Sequence, residues 1–108
     1  MIINKQIYIM KNGIELIAIE RKRQIEKEGW TPEHDSEHST GDLAIAGGCY
    51  ALAEASRKHL GSNQPPKIWC WDEAWWKPTP NNRVKELVKA GALIAAEIDR
   101  LNRKDKNP

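Results

Sequence analysis

The sequence predicts an all-α fold: a small three-helix domain with a long tryptophan-rich loop, preceded by a short N-terminal strand or extended arm. Three observations predict it. Apolar residues recur at steps of three and four in three separate segments. Gly29, Gly61 and the Pro65-Pro66 and Pro78–Pro80 breakers punctuate those segments. Alanine and glycine crowd the second and third segments, as helices in close approach require. With 108 residues, 40% hydrophobic and 30% charged, the chain has material for one core and is not of disordered composition. Phenylalanine is absent and much of the apolar content is alanine, so the core is thin and the five tryptophans must supply aromatic mass.

Residues 1–12 form the arm. Ile7 and Ile9 alternate against Tyr8, but so short a run does not separate a strand from an extended segment. A single helical domain spans 13–103, and 104–108 is a disordered basic tail. The first helix runs from about Gly13 to Glu28, with Ile14, Ile17, Ala18, Arg21 and Ile25 on one face and Gly29 just past its end. A polar loop follows from Trp30 to Ser39, in which Pro32 and Ser36 argue against a helix. Ser39 and Thr40 are candidate N-caps, Ser39 forming a capping box with Asp42.

The second helix runs from Asp42 to Leu60. Ala44, Ala46, Gly47, Gly48, Ala51, Ala53 and Ala55 make it small nearly all round, which predicts a central helix. Gly47 and Gly48 each cost about 1 kcal/mol of helix propensity, so both are expected where a neighbouring backbone comes close. Ser62 to Pro80 is the tryptophan loop, pinned by Trp69, Trp71, Trp75 and Trp76. The third helix runs from about Asn82 to Arg103, with Leu87, Ala90, Gly91, Ile94, Ile98 and Leu101 as its inward stripe.

The formal charge is +2, with both signs interspersed, so no specific nucleic-acid partner is indicated. Cys49 and Cys70 fit neither a disulfide framework nor a zinc spacing and are read as reduced, buried thiols. No apolar run is long enough for a membrane span, and Met1 to Met10 lacks the apolar stretch and cleavage site of a secretory leader. The expectation is a cytoplasmic protein.

Three constellations carry chemistry. His34, Asp35, His38 and Asp42 are the residue types that bind a divalent metal, although capping of the second helix by these polar side chains is the favoured reading, and the sequence requires no cofactor. Arg21 sits on an apolar stripe, where it calls for a partner, Glu54 or Glu97, or else an anionic ligand. The segment Trp69–Pro78 offers indoles that lid the core, with Trp30 and Trp71 as candidates for stacking on a ligand ring. The P-loop, GxSxG, HExxH and GxGxxG signatures are absent. So are the EExxE and ExxD helix pairs of magnesium-dependent nucleotide pyrophosphohydrolases.

Glu20–Gln24 (ERKRQ), Glu28–Asp35 (EGWTPEHD), Gly41–Ala44 (GDLA), Trp75–Pro78 (WWKP) and the run LVKAGALI at 87–94 with Ala96-Glu97-Ile98 resemble, taken together, a widespread group of small phage and prophage accessory proteins. The resemblance covers about residues 15–103. Asp42 stands where that group has Glu, and Cys70 where it has Pro. By position, the resemblance implies that Glu20, Arg21, Gln24, Trp30, His34, Asp35, His38, Asp42, Lys77, Arg83, Lys89 and Glu97 are the polar and aromatic residues of a site.

The leading expectation is therefore a phage-encoded, homo-oligomeric binding protein that holds a nucleotide or nucleotide-derived signal and so influences host defence or metabolism in the bacterial cytoplasm. Its ligand set is Glu20, Arg21, Gln24, Trp30, His34, Asp35, His38, Trp71, Lys77, Arg83, Lys89 and Glu97. One alternative is a divalent-metal nucleotide hydrolase using Asp35, Asp42, Glu54 and Glu97, with Arg21 or Lys89 on phosphate. The other is a protein-interaction adaptor that presents the tryptophan loop.

Overall fold

The computed structural model describes residues 11–106, so the expected strand or arm lies, but for Lys11 and Asn12, outside the described residues. Among the described residues the fold is all-α, built from four helices rather than three. Helix α1 (Gly13–Glu28) opens on a full capping box: Asn12 accepts from the Glu15 amide at 2.9 Å, and Glu15 accepts from the Asn12 amide at 3.1 Å. It ends at Gly29, whose φ of 74° is the left-handed cap that glycine takes without a Cβ clash.

The extra helix is α2 (Pro32–Ser36), in the segment expected to be a loop. Its two supposed breakers are its framework. Pro32 occupies the first turn, where its missing N–H would have had no partner anyway. Thr31 caps the His34 amide, and the Ser36 hydroxyl donates to the Pro32 carbonyl at 2.9 Å. Helix α3 (Asp42–Leu60) begins at Gly41, with φ 85° and no side-chain cap. The expected Ser39–Asp42 capping box does not form, because the Asp42 carboxylate accepts from His38 and Trp71 instead. A 3₁₀ turn, Glu73–Trp75, interrupts the tryptophan loop. Helix α4 (Arg83–Lys106) comes next; it continues to Lys106, into the stretch read as a tail.

The central element is α4, not α3: helices α1, α2 and α3 all pack against it. Leu43, Ala46, Tyr50, Ala90, Leu93 and Ala96 form the core, as thin as the alanine content implies. Gly47 sits where α3 meets the α4 backbone, a Cβ there lying 3.0 Å from the Ala90 carbonyl oxygen, whereas a Cβ at Gly48 would meet no other element within 4 Å among the described residues. Ile17 of α1 seats over Gly91 of α4. Trp30, Trp69, Trp71 and Trp76 close over the core, with Trp76 stacked on Tyr50 at 4.6 Å, while Trp75 is exposed.

The inward face of α4 differs from the expected stripe. Glu86, Ala90, Leu93, Ala96, Glu97 and Arg100 point inward, while Leu87, Ile94, Ile98 and Leu101 are 43–54% exposed. Hydropathy alone would never bury Glu86, but it is matched in place. Arg57 clasps it through two hydrogen bonds of 2.7 and 2.8 Å, Arg83 adds one of 3.2 Å, and the Thr79 amide donates to it at 3.1 Å. Glu97 pairs with Arg100 on its own helix at 2.6 Å, and Glu54 with Lys58 and Arg83. Neither reaches Arg21, whose partner is Asp35. Cys49 is buried as expected, but Cys70 is exposed. No helix among the described residues is long and apolar enough to cross a membrane.

Candidate ligand-binding cleft

Arg21 organises the segment between α1 and α2. Its guanidinium donates to the Trp30 carbonyl at 3.1 Å and pairs with Asp35, which is fully buried. A buried carboxylate needs such a partner, and the pair fixes α2 against α1. Asp35 also accepts from His34 Nδ1 at 3.2 Å. Just past the end of α2, His38 Nδ1 lies 2.5 Å from Asp42 Oδ2, and the Trp71 indole donates to that same oxygen at 3.0 Å. Burial pushes the Asp42 carboxyl up, but the Trp71 and His38 hydrogen bonds overcome it and leave the group below the ordinary carboxylate range.

Two Asp–His pairs thus stand side by side, with the Nε2 atoms of His34 and His38 facing each other at 3.3 Å. The Trp30 ring lies parallel to His34, their planes 4° apart, and Trp71 lies 5.3 Å from His38. Together with Asp72 and Trp75 these rings line a cleft of about 320 Å³. Its walls are indole and imidazole, the surfaces on which a planar ring stacks.

The cleft does not stand alone. Trp30 and Trp75 also line a small cavity of about 20 Å³, bounded by Arg23, Gln24, Glu28, Tyr50, Lys77 and Lys89. Arg23, Glu28, Lys77 and Lys89 in turn line a larger groove of about 760 Å³ between α1 and the start of α4, to which Glu20 and Lys85 contribute. Arg23 is neutralised by Glu20 and Glu28. Lys77, Lys85 and Lys89 have no carboxylate partner among the described residues. Lys89 lies over the Tyr50 ring and donates to the Lys77 carbonyl at 2.9 Å; burial lowers its pKa. At that cavity Gln24 is fully buried: its amide nitrogen donates to Glu20 at 3.3 Å, while its amide oxygen has no partner among the described residues. A buried, unpartnered amide oxygen is costly, and a donor on a ligand would satisfy it.

The structure gathers most of the residues expected from sequence around these spaces. Trp30, His34, His38 and Trp71 wall the cleft, Arg21, Asp35 and Asp42 hold those walls, and Glu20, Gln24, Lys77 and Lys89 lie along the small cavity and groove. Two residues fall elsewhere. Arg83 directs its guanidinium to the Tyr50 and Ala51 carbonyls and to Glu86, and Glu97 is tied to Arg100. Asp72, Trp75, Arg23 and Lys85 were missed. Asp72 and Trp75 were open to discovery as direct neighbours in the Trp71–Trp76 run, whereas Arg23 and Lys85 carry no signal beyond being surface cations.

The four carboxylates of the hydrolase reading do not converge. Asp35, Asp42, Glu54 and Glu97 each meet a different cation or imidazole, and no group of three or more His, Cys, Asp or Glu side chains among the described residues is placed to hold a metal ion. Compared with known protein families, curated proteins and solved structures, the chain has no significant match.

Proposed function

We propose that the protein binds a nucleotide or nucleotide-derived signal, with the base in the Trp30–His34–His38–Trp71 cleft and the phosphates toward Lys77 and Lys89. The observation that carries this reading is the neighbouring arrangement of an aromatic cleft, a small cavity at whose wall a buried amide oxygen has no donor among the described residues, and a groove with lysines that form no ion pair there. A base has a face for the indoles and edge donors for amide and imidazole, and its phosphate suits the lysines. The resemblance to phage accessory proteins supports placing the ligand among signalling nucleotides, whose capture would affect host defence or metabolism.

Calorimetry of the full chain against a panel of mono-, di- and cyclic dinucleotides tests the reading. Trp30→Ala should weaken the best ligand by roughly 10- to 100-fold, from the loss of one base stack worth about 1–3 kcal/mol. Lys89→Met should weaken it and flatten its salt dependence. No heat from any member of the panel, or equal affinity in both variants and wild type, overturns the proposal.

The proposal includes a homo-oligomer. Leu87, Ile94, Ile98 and Leu101 recur along one side of α4 and are all substantially exposed, an apolar stripe that a second copy would cover.

A further inference from the structure

We propose that His34 and His38 form a two-imidazole site for a divalent transition ion of the zinc type, open toward the cleft. This inference does not depend on the nucleotide reading. Asp42 takes the Trp71 indole N–H and Asp35 takes the Arg21 guanidinium, so both carboxylates stand as hydrogen-bond acceptors beside the histidines. Each therefore fixes its histidine as the Nδ1–H tautomer, and each imidazole turns a bare Nε2 lone pair toward the other. Two lone pairs at 3.3 Å repel unless an electrophile lies between them.

The separation selects which electrophile. Two nitrogens bound at about 2.0–2.1 Å to a tetrahedral ion, about 109° apart, lie about 3.3–3.4 Å from one another. The observed 3.3 Å matches that span. Carboxylates on the far nitrogens are the outer-shell partners that orient metal-binding histidines and raise their basicity. The roles of the four residues thus divide: His34 and His38 are ligands, while Asp35 and Asp42 are the groups that aim them. Arg21 and Trp71, which bond the two carboxylates, keep the carboxylates off the ion. Only two positions are taken by protein, so the others face the cleft, where Asp72 also lies and where a bound anion or heterocycle would complete the sphere.

The test uses tag-free full-length chain titrated with Zn²⁺ by calorimetry and with Co²⁺ by visible absorption. One ion per chain is expected, with the intense Co²⁺ bands of tetrahedral coordination. His34→Gln and His38→Gln should each weaken binding by more than the about 10- to 100-fold expected for the outer-shell change Asp42→Asn. His59→Gln, on the exposed end of α3, should leave it unchanged. As a check free of variants, the ring signals of His34 and His38 in the wild-type NMR spectrum should move with Zn²⁺ while those of His59 stay put. A His34/His38 double variant that still binds like wild type while remaining helical overturns the site. So do wild-type ring signals that titrate with acid but ignore the metal, the signature of a shared proton.

Discussion

Gly47 and Gly48 are adjacent on α3, and the structure assigns them opposite responses to the same substitution. Replacing a helix-interior glycine by alanine gains about 0.8–1 kcal/mol, by lowering unfolded-chain freedom and raising helix propensity. At Gly48 no other element among the described residues lies within 4 Å of the added methyl, so the whole gain should appear, raising Tm by about 4–8 °C in a domain of this size. At Gly47 the methyl would meet the Ala90 carbonyl oxygen and Ile94 Cγ1 at 3.0 Å, and Leu93 Cβ at 3.4 Å. A helix backbone cannot yield as a side-chain tip can, and overpacking of this kind costs about 1–3 kcal/mol. Gly47→Ala should therefore be neutral to about 2 kcal/mol destabilising. The propensity and unfolded-state contributions are common to both variants, so their difference of about 1–3 kcal/mol measures the close approach of α3 and α4 alone. Thermal and urea unfolding followed by circular dichroism read it directly. Equal stabilisation of the two variants would refute this packing of α3 on α4.

Glu86→Gln, which leaves Arg57 and Arg83 clustered around a neutral amide, should cost about 3–5 kcal/mol, measurable as a fall in the urea midpoint. The Arg57 hydrogen bond holds the Glu86 carboxyl below its ordinary 4.5. Its contribution is therefore complete above that value and is lost as pH falls through the lower folded-state pKa, so the acid-side slope of stability should be shallower in the variant. Ile98→Lys on the exposed stripe should leave the urea midpoint within about 0.5 kcal/mol of wild type while shifting sedimentation from oligomer to monomer; a wild-type chain that sediments as a monomer sinks the oligomer proposal.

Three of the helices were legible because their ends are written in residues with one dominant use. Gly29 and Gly61 adopt the left-handed conformation that stops α1 and α3, and Pro78 and Pro80 keep α4 from starting before Asn82. Helix α2 was illegible because the same residue types carry opposite meanings by position: Pro32 breaks a helix interior but suits a first turn. The face of α4 was misread for a different reason. Periodicity weighs each residue alone, whereas Glu86 and Arg100 are inward only because Arg57 and Glu97 meet them there. The cleft was legible in its walls, since Trp30, His34, His38 and Trp71 are rare residue types in one polar and one aromatic segment. Its lysine end was only partly so, because an unpaired lysine is distinguished from a paired one by three-dimensional neighbours alone.

The same pairing bears on the choice between recognition and hydrolysis. A metal-dependent hydrolase needs carboxylates that are free to converge on an ion and on a water. Here each is already engaged: Asp35 fixes α2 to α1 through Arg21, Asp42 aims His38 and anchors Trp71, Glu54 and Glu86 meet Arg83 and Arg57, and Glu97 meets Arg100. In a core built from alanines and two fully buried leucines, removing any of these carboxylates from its partner leaves a buried or half-buried charge with nothing to answer it. These five carboxylates are thus committed to holding the fold, and the surface around the cleft is what they hold in place: indole faces, two imidazole edges, the Asp72 carboxylate, one buried amide and a few lysines in no ion pair. Those groups are the ones on which the proposed stacking of a planar anionic ligand and the proposed two-imidazole ion site both rest. The one carboxylate lining the cleft among the described residues, Asp72, accepts the Ala74 amide through Oδ1, and no second carboxylate lines the cleft beside it.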